Sequence, residues 1–251
     1  MSVSILPGAE PWSHDGSRVG ALCLHGFTGN PSSMRGIAEA FGAAGFSVEL
    51  PRLPGHGTTV EDMMTTGWAD WTGEVEAAYR RLAARTDRIV VAGLSMGGSL
   101  TLWTAAHHPE VAGIVCVNPA TQPQPPEVMD MVHGMIDEGT EVMPGIGSDI
   151  AKPGVVETAY DGTPLRPLVS LVAGIVDLAP HYPSITAPML LITSRQDHVV
   201  DPAQSDYLVE HYGGPVERIM LDESYHVATL DHDRELIEQR AVEFGTRVTA
   251  S

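Results

Sequence analysis

The pentapeptide Gly93-Leu94-Ser95-Met96-Gly97 sets a serine between two glycines, directly after the apolar run Ile89-Val90-Val91-Ala92. This G-x-S-x-G spacing suits a nucleophile held at the apex of a sharp turn from strand to helix. Such a backbone is strained, at a cost of about 1–3 kcal/mol, and side chains two residues to either side would crowd it, so glycines stand there. A serine hydroxyl attacks only when a base takes its proton. A histidine must therefore reach it in space, oriented by a carboxylate, and on such a turn the chain order is serine, acid, histidine. Asp197 ends an apolar run in "LLITSRQDHVV", and His226 follows the last apolar run in "LDESYHVATLD". This order assigns Ser95 as nucleophile, His226 as general base and acid, and Asp197 as the group that fixes the imidazole tautomer.

Other residues compete for these roles. Asp222 lies in the same loop as His226 and is the alternative acid, whereas Asp201 comes after the strand has ended and Asp206 falls within a helical segment. His198 adjoins Asp197 and is expected to point away from its neighbour's target. His107 and His108 close a helix and suit its negative end. An oxyanion formed by attack needs backbone donors aimed at it. The loop in "LCLHGFTG" supplies the N–H of Phe27, and the residue after the nucleophile supplies that of Met96. His25 is read as a partner of loop backbone, and "RLPGHGTT" with His56 as a structural turn. No H-E-x-x-H spacing occurs, so no metal is expected, and nothing implies a cofactor.

These residues need elements to carry them. Apolar runs predict strands over 19–25, 47–53, 88–94, 111–118, 188–194 and 216–221, with helices over 32–44, 68–84, 96–107, 203–212 and 233–247 between them. Continuous rather than alternating apolar runs suit a parallel sheet buried on both faces, and the strand–helix alternation implies right-handed crossovers. The expectation is an α/β fold of residues 1–118 and 184–251, a mostly parallel sheet flanked by helices. Residues 119–183 break the rhythm with many prolines, four methionines, two helical patterns and no convincing strand. They read as a small helical cap at the carboxyl edge of the sheet, where open α/β sheets bind ligands.

Composition narrows the class further. The chain has 251 residues and a formal charge of −18, which would repel a phosphate backbone and argues against nucleic acid. No apolar stretch is long enough to span a bilayer, and the start lacks the pattern of a secretory signal, so a cytoplasmic protein is expected. Cys23 and Cys116 fall in expected buried strands and read as reduced core thiols. Between Pro119 and Pro183 nine Asp/Glu stand against two Lys/Arg, a balance that favours neutral substrates.

The segments "GAEPW", "LHGFTGNPSSMR", "LPRLPGHGTTVEDM", "GLSMGGSLTL", "GSDIAKPGVVETAY", "QDHVVDP" and "SYHVATLDHD" resemble, in order along nearly the whole chain, the bacterial monoacylglycerol lipases and their thermostable carboxylesterase relatives. The resemblance implies the α/β-hydrolase fold, a small ester substrate, the triad Ser95, Asp197 and His226, and oxyanion amides at Phe27 and Met96. It further implies that Ile146 of "GIGSD" touches substrate from the cap, and that Glu157 of "VVETAY" lies near the glycerol pocket. A monomer and a homodimer both remain open. The alternatives to a monoacylglycerol lipase are a general carboxylesterase indifferent to glycerol and, in another class, a ligand receptor that binds without turnover.

Overall fold

Residues 4–145 and 147–250 are described by a computed structural model. The chain runs through β1 (Trp12–His14), β2 (Val19–Leu24), α1 (Arg35–Ala43), β3 (Ser47–Leu50), α2 (Val60–Met63) and α3 (Trp68–Ala83). It continues with β4 (Arg88–Leu94), α4 (Met96–His107) and β5 (Gly113–Val117). Next come α5 (Pro126–Asp137), β6 (Val142–Pro144), β7 (Gly162–Pro164) and α6 (Leu165–Leu178). Then follow β8 (Met189–Ser194), α7 (Ala203–His211), β9 (Val216–Leu221) and α8 (Arg234–Thr249).

One sheet has the strand order β1-β3-β2-β4-β5-β8-β9. β1 runs antiparallel to β3, and the other pairings are parallel. Successive strand residues point to opposite faces. Leu22, Leu24, Val91, Cys116 and Leu191 therefore pack with α3, α4 and α6, while Ala21, Cys23, Val90, Val115 and Leu190 pack with α1 and α8. Both faces are covered, which is why the strands read as unbroken apolar runs. Both cysteines are free and buried, and burial pushes their thiols up. Because β4, β5, β8 and β9 are parallel, their following loops emerge at one edge, and this brings Ser95, Asn118, Asp197 and His226 to the same rim.

The structure departs from the expected elements in several places, among them the short helix α2, which no expected segment covers. β3 stops at Leu50 rather than 53, because Pro51 has no N–H to continue the ladder. β1 was not expected: three residues cannot show a period. The segment 119–183, expected without strands, holds the antiparallel pair β6–β7, again three residues each and each ending in proline. Its helix α6 packs Leu171, Ile175 and Leu178 into the core beneath α3 and α4. No helix among the described residues is long and apolar enough to cross a membrane.

The helix α4 begins directly at Ser95 and buries residues on almost every side, including Met96, Leu100, Leu102 and Thr104. It lies so close to β2 that a Cβ on Gly97 would sit 2.1 Å from the Leu24 carbonyl oxygen and 2.8 Å from that of His25. Gly97→Ala should therefore lower stability by more than about 3 kcal/mol or prevent folding. Urea unfolding measures it, and a loss under about 0.5 kcal/mol would refute so close an approach.

Candidate active site

Ser95 has φ 56° and ψ −119°, a region that an L-residue occupies only under strain, at about 1–3 kcal/mol. Its neighbours hold it there. Its N–H donates to Val117 O at 2.9 Å, and its carbonyl accepts from Gly98 N at 2.8 Å. A Cβ on Gly93 would meet Gly97 O at 2.0 Å, so both glycines of the motif are required by contact as well as by spacing. The side chain is thereby displayed at the rim of the sheet, on the wall of two cavities.

His226 lines the first of these cavities with Ser95. Its Nδ1–H donates to Asp197 Oδ2 at 2.7 Å, with the side chains only 8% and 2% exposed. This bond places the proton on Nδ1 and leaves Nε2 as a lone pair, the tautomer a general base needs. Asp197 is itself fixed, since Oδ1 accepts from the N–H of Val199 at 2.9 Å and of Val200 at 2.8 Å.

The loop carrying His226 has no sheet register to define it. Three polar side chains that the sequence did not single out do so instead. Asn118, at the end of β5 with φ 44°, donates from Nδ2 to His226 O at 2.8 Å and to Ser194 Oγ at 3.0 Å. Asp149 accepts from His226 N at 3.0 Å. Asp231 accepts from the backbone N–H of Ala151, Lys152, Tyr225 and His232 at 2.7–2.9 Å. Burial alone would raise the Asp231 carboxyl; the four donors outweigh it and hold the pKa below the usual carboxylate value. Asn118 had one visible signal, a polar residue closing an apolar run. The two aspartates had none, because the contacts that join them to another loop span 49 or more residues of chain.

The rejected candidates are occupied elsewhere. Asp222 pairs with Arg195 at 2.7 Å and is exposed, Asp201 caps Ala203 N, and Asp206 pairs with Arg218. His198 turns to Asp149. His108 pairs with Glu76 and stacks on Tyr79, and His107 bonds Trp103 O. His25 donates from Nδ1 to Gly26 O and accepts at Nε2 from Leu53 N, and burial keeps it neutral. His56, fully buried among His25, Phe27 and Trp71, has its pKa lowered to about 4 by burial.

Phe27 lies in the turn after β2 and lines both cavities, while Met96 opens α4, where the first backbone donors have no helical partner. The smaller cavity, about 120 Å³, also meets Thr28, Glu157, Tyr160 and Thr163. Burial raises the Glu157 carboxyl, opposed by His226 and by a hydrogen bond from Ser33. The larger cavity, about 290 Å³, is walled by Val128, Met129, Val132, Leu171, Val172 and Ile175 among others. Ile146 lies outside the described residues. Among the described residues no group of three or more His, Cys, Asp or Glu is placed to hold a metal ion. A hydroxyl, an imidazole with a free Nε2 and a buried carboxylate, set between a polar and an apolar chamber, can carry out acyl transfer.

Comparison with known proteins agrees with this chemistry. A family model described as serine aminopeptidase, S33, matches residues 18–233. The thermostable monoacylglycerol lipase of Bacillus sp. (strain H-257) is 42% identical over 96% of this chain and 95% of that protein. The chain belongs to this family of serine ester hydrolases. The carboxylesterase of Bacillus subtilis (strain 168) is 27% identical to this hydrolase, over 94% of its chain and 95% of the relative. A solved structure of the metagenome-derived lipolytic enzymes LipS and LipT superposes with TM-score 0.92 at 43% identity, covering 97% of this chain and 100% of that one. The monoacylglycerol lipase of Paleococcus ferrophilus, at 17% identity and TM-score 0.77 over 99% of this chain and 100% of that one, shares the fold. The expected α/β-hydrolase fold and family are thus borne out.

Two outcomes are expected of the hydrolase. Ser95→Ala should abolish labelling by a fluorophosphonate and cut kcat on the order of 10⁴-fold or more while leaving circular dichroism unchanged; substantial residual turnover would exclude Ser95 as nucleophile. Asp231→Ala takes the acceptor from four partly buried backbone N–H groups and should cost roughly 1–3 kcal/mol at pH 7. Because the Asp231 pKa is depressed on folding, its contribution is complete above the ordinary value near 3.8 and fades as pH falls through the folded value. The difference between wild type and variant in urea midpoints should therefore shrink below about pH 4, and a constant difference would show that the charge is irrelevant.

Proposed function

We propose that this hydrolase cleaves monoacylglycerols to glycerol and a free fatty acid through an acyl-enzyme on Ser95. The observation that carries the reading is the meeting of two unlike chambers at one hydroxyl. The apolar one suits an acyl chain, and the polar one, with Glu157 on its wall, suits a small alcohol bearing further hydroxyls. Glu157 offers carboxyl oxygens there that can accept hydrogen bonds from the hydroxyls of such an alcohol. The identity to a thermostable monoacylglycerol lipase supports the same substrate.

In this reading Ser95 Oγ attacks the ester carbonyl carbon as its proton passes to His226 Nε2. Asp197 stabilises the imidazolium, and the N–H groups of Phe27 and Met96 receive the oxyanion. Each such donor contributes about 3 kcal/mol to the transition state. Collapse breaks the bond between acyl carbon and alkoxy oxygen, and His226 returns its proton to the departing glycerol. Water then attacks the acyl carbon, yielding a proton to His226 that is passed back to Ser95 as the fatty acid leaves.

Residues 119–183 serve in this scheme as the cap over a core of residues 1–118 and 184–251. α5 and α6 supply most of the acyl wall through Val128, Met129, Val132, Leu171 and Ile175. Methionine adapts to chains of different length. The test compares a monoacylglycerol with the methyl ester of the same acid, on wild type and on Glu157→Leu, which removes the hydrogen-bonding oxygens. The glyceride should be preferred by wild type, and the substitution should raise its KM about tenfold, the value of a hydrogen bond, with the methyl ester changed less than twofold. Equal wild-type rates on the two esters would leave a general carboxylesterase, and no turnover of either would leave a binding protein.

A further inference from the structure

We propose that Asp149 is a positioning residue of the triad, a carboxylate from the 119–183 segment that locks the loop of the acid and the loop of the base into one frame. The inference rests on the roles given above to Ser95, Asp197 and His226. Asp149 is 9% exposed. Its Oδ2 accepts from His226 N at 3.0 Å and from His198 N at 3.1 Å, and its Oδ1 accepts from His198 Nδ1 at 2.8 Å. Its carbonyl accepts from Val227 N at 3.1 Å. One residue therefore grips the base itself, the residue after the base, and the residue after the acid.

Asn118 Nδ2 donates to His226 O at 2.8 Å and Ser194 Oγ donates to Tyr225 O at 2.9 Å, which ties the base loop to the strand ends, while the N–H groups of His226 and His198 are both left to Asp149. The ladder between β8 and β9 ends at Ser194 and Leu221, before either loop begins. Beyond it Arg195 N still reaches Leu221 O, Gln196 Nε2 reaches Asp222 O, and Arg195 pairs with Asp222 on the surface. The two side-chain contacts are exposed and hold geometry weakly. Asp149, by contrast, is buried and charged, and hydrogen bonds to a charged acceptor are roughly twice as strong as neutral ones.

The stretch that carries Asp149 is fastened in turn. Ala151 and Lys152 bind Asp231 through their N–H groups, and Ser148 Oγ accepts from Glu157 N at 2.8 Å. The same few residues thus tie the wall of the polar chamber to the backbone of the base. Asp149 itself lines neither cavity, so its removal should disturb the alignment of His226 with Ser95 and leave substrate binding alone. A displacement of about 1 Å in a catalytic group costs on the order of 100-fold in rate.

The test uses Asp149→Ala and Asp149→Asn, with p-nitrophenyl butyrate and a monoacylglycerol as substrates and a fluorophosphonate as a probe of Ser95 reactivity. Asn keeps one oxygen for the two backbone N–H groups, and its amide can donate to His198 Nδ1 when that ring carries its proton on Nε2. Asp149→Ala is expected to lower kcat roughly 100-fold with KM within about threefold, slowing fluorophosphonate labelling in parallel. Asp149→Asn is expected to return to within about fivefold of wild type, as the hydrogen-bond argument requires. Should Asp149→Ala fail to fold, Asp149→Ser takes its place in the comparison; if neither folds, Asp149 is a folding determinant and the proposal falls. It also falls if kcat changes less than about threefold, if KM rises at constant kcat, or if Asn does no better than Ala. A wild type that cleaves the p-nitrophenyl ester but not the glyceride would remove the substrate reading and leave this one intact.

Discussion

The contact between α4 and the turn after β2 governs everything built around it. At Gly97 the helix comes so close to the Leu24 and His25 carbonyls that no side chain fits. The same approach forces the chain between Leu94 and Met96 into the strained conformation that displays the Ser95 hydroxyl. It also brings the turn bearing Phe27 alongside the first turn of the helix, where Met96 N–H is free of helical partners. The displayed Ser95 hydroxyl and the N–H groups proposed to receive the oxyanion thus follow from one packing distance. A looser helix would relax the strain and separate the donors together.

Strain in the elbow persists only because its surroundings over-determine it. The supports are hydrogen bonds rather than apolar packing: Ser95 N to Val117 O, then Asn118 to both Ser194 and His226. Beyond the strand ends, buried carboxylates replace the sheet as the source of order. Asp197, Asp149 and Asp231 each accept from at least two backbone N–H groups. A buried carboxylate is tolerated only when so provided for, and the donors in turn are loop amides that would otherwise be orphaned. Each requirement meets the other.

Much of this was legible before any coordinates. The parallel strands are visible because burial on both faces leaves continuous apolar runs, and Ser95, Asp197 and His226 stand out as candidates because fold and chemistry both restrict the order of a triad. The fold class, the order of elements and the family followed. What stayed hidden has physical causes. β1, β6 and β7 are too short to carry a period. Asp149 and Asp231 are ordinary acids in sequence, and only the convergence of distant loops brings His198 and His226 to the first and Ala151 and Lys152 to the second. Glu157 was reachable through resemblance alone, since nothing in its neighbours marks a residue that will face a pocket from a loop.

The two chambers share Phe27, Ser95 and Val199 in their walls, and in the reaction proposed above this common threshold imposes an order of events. Once an acyl chain is esterified to Ser95 it continues to fill the apolar chamber, so solvent can reach the carbonyl only from the polar side. That side stays blocked until the alcohol has gone. Departure of one product thereby gates the arrival of water, and any hydroxylic guest that lingers in the vacated space competes with water for the acyl group. Transesterification is then the natural side reaction of that proposed chemistry, with the smaller chamber deciding which acceptors take part.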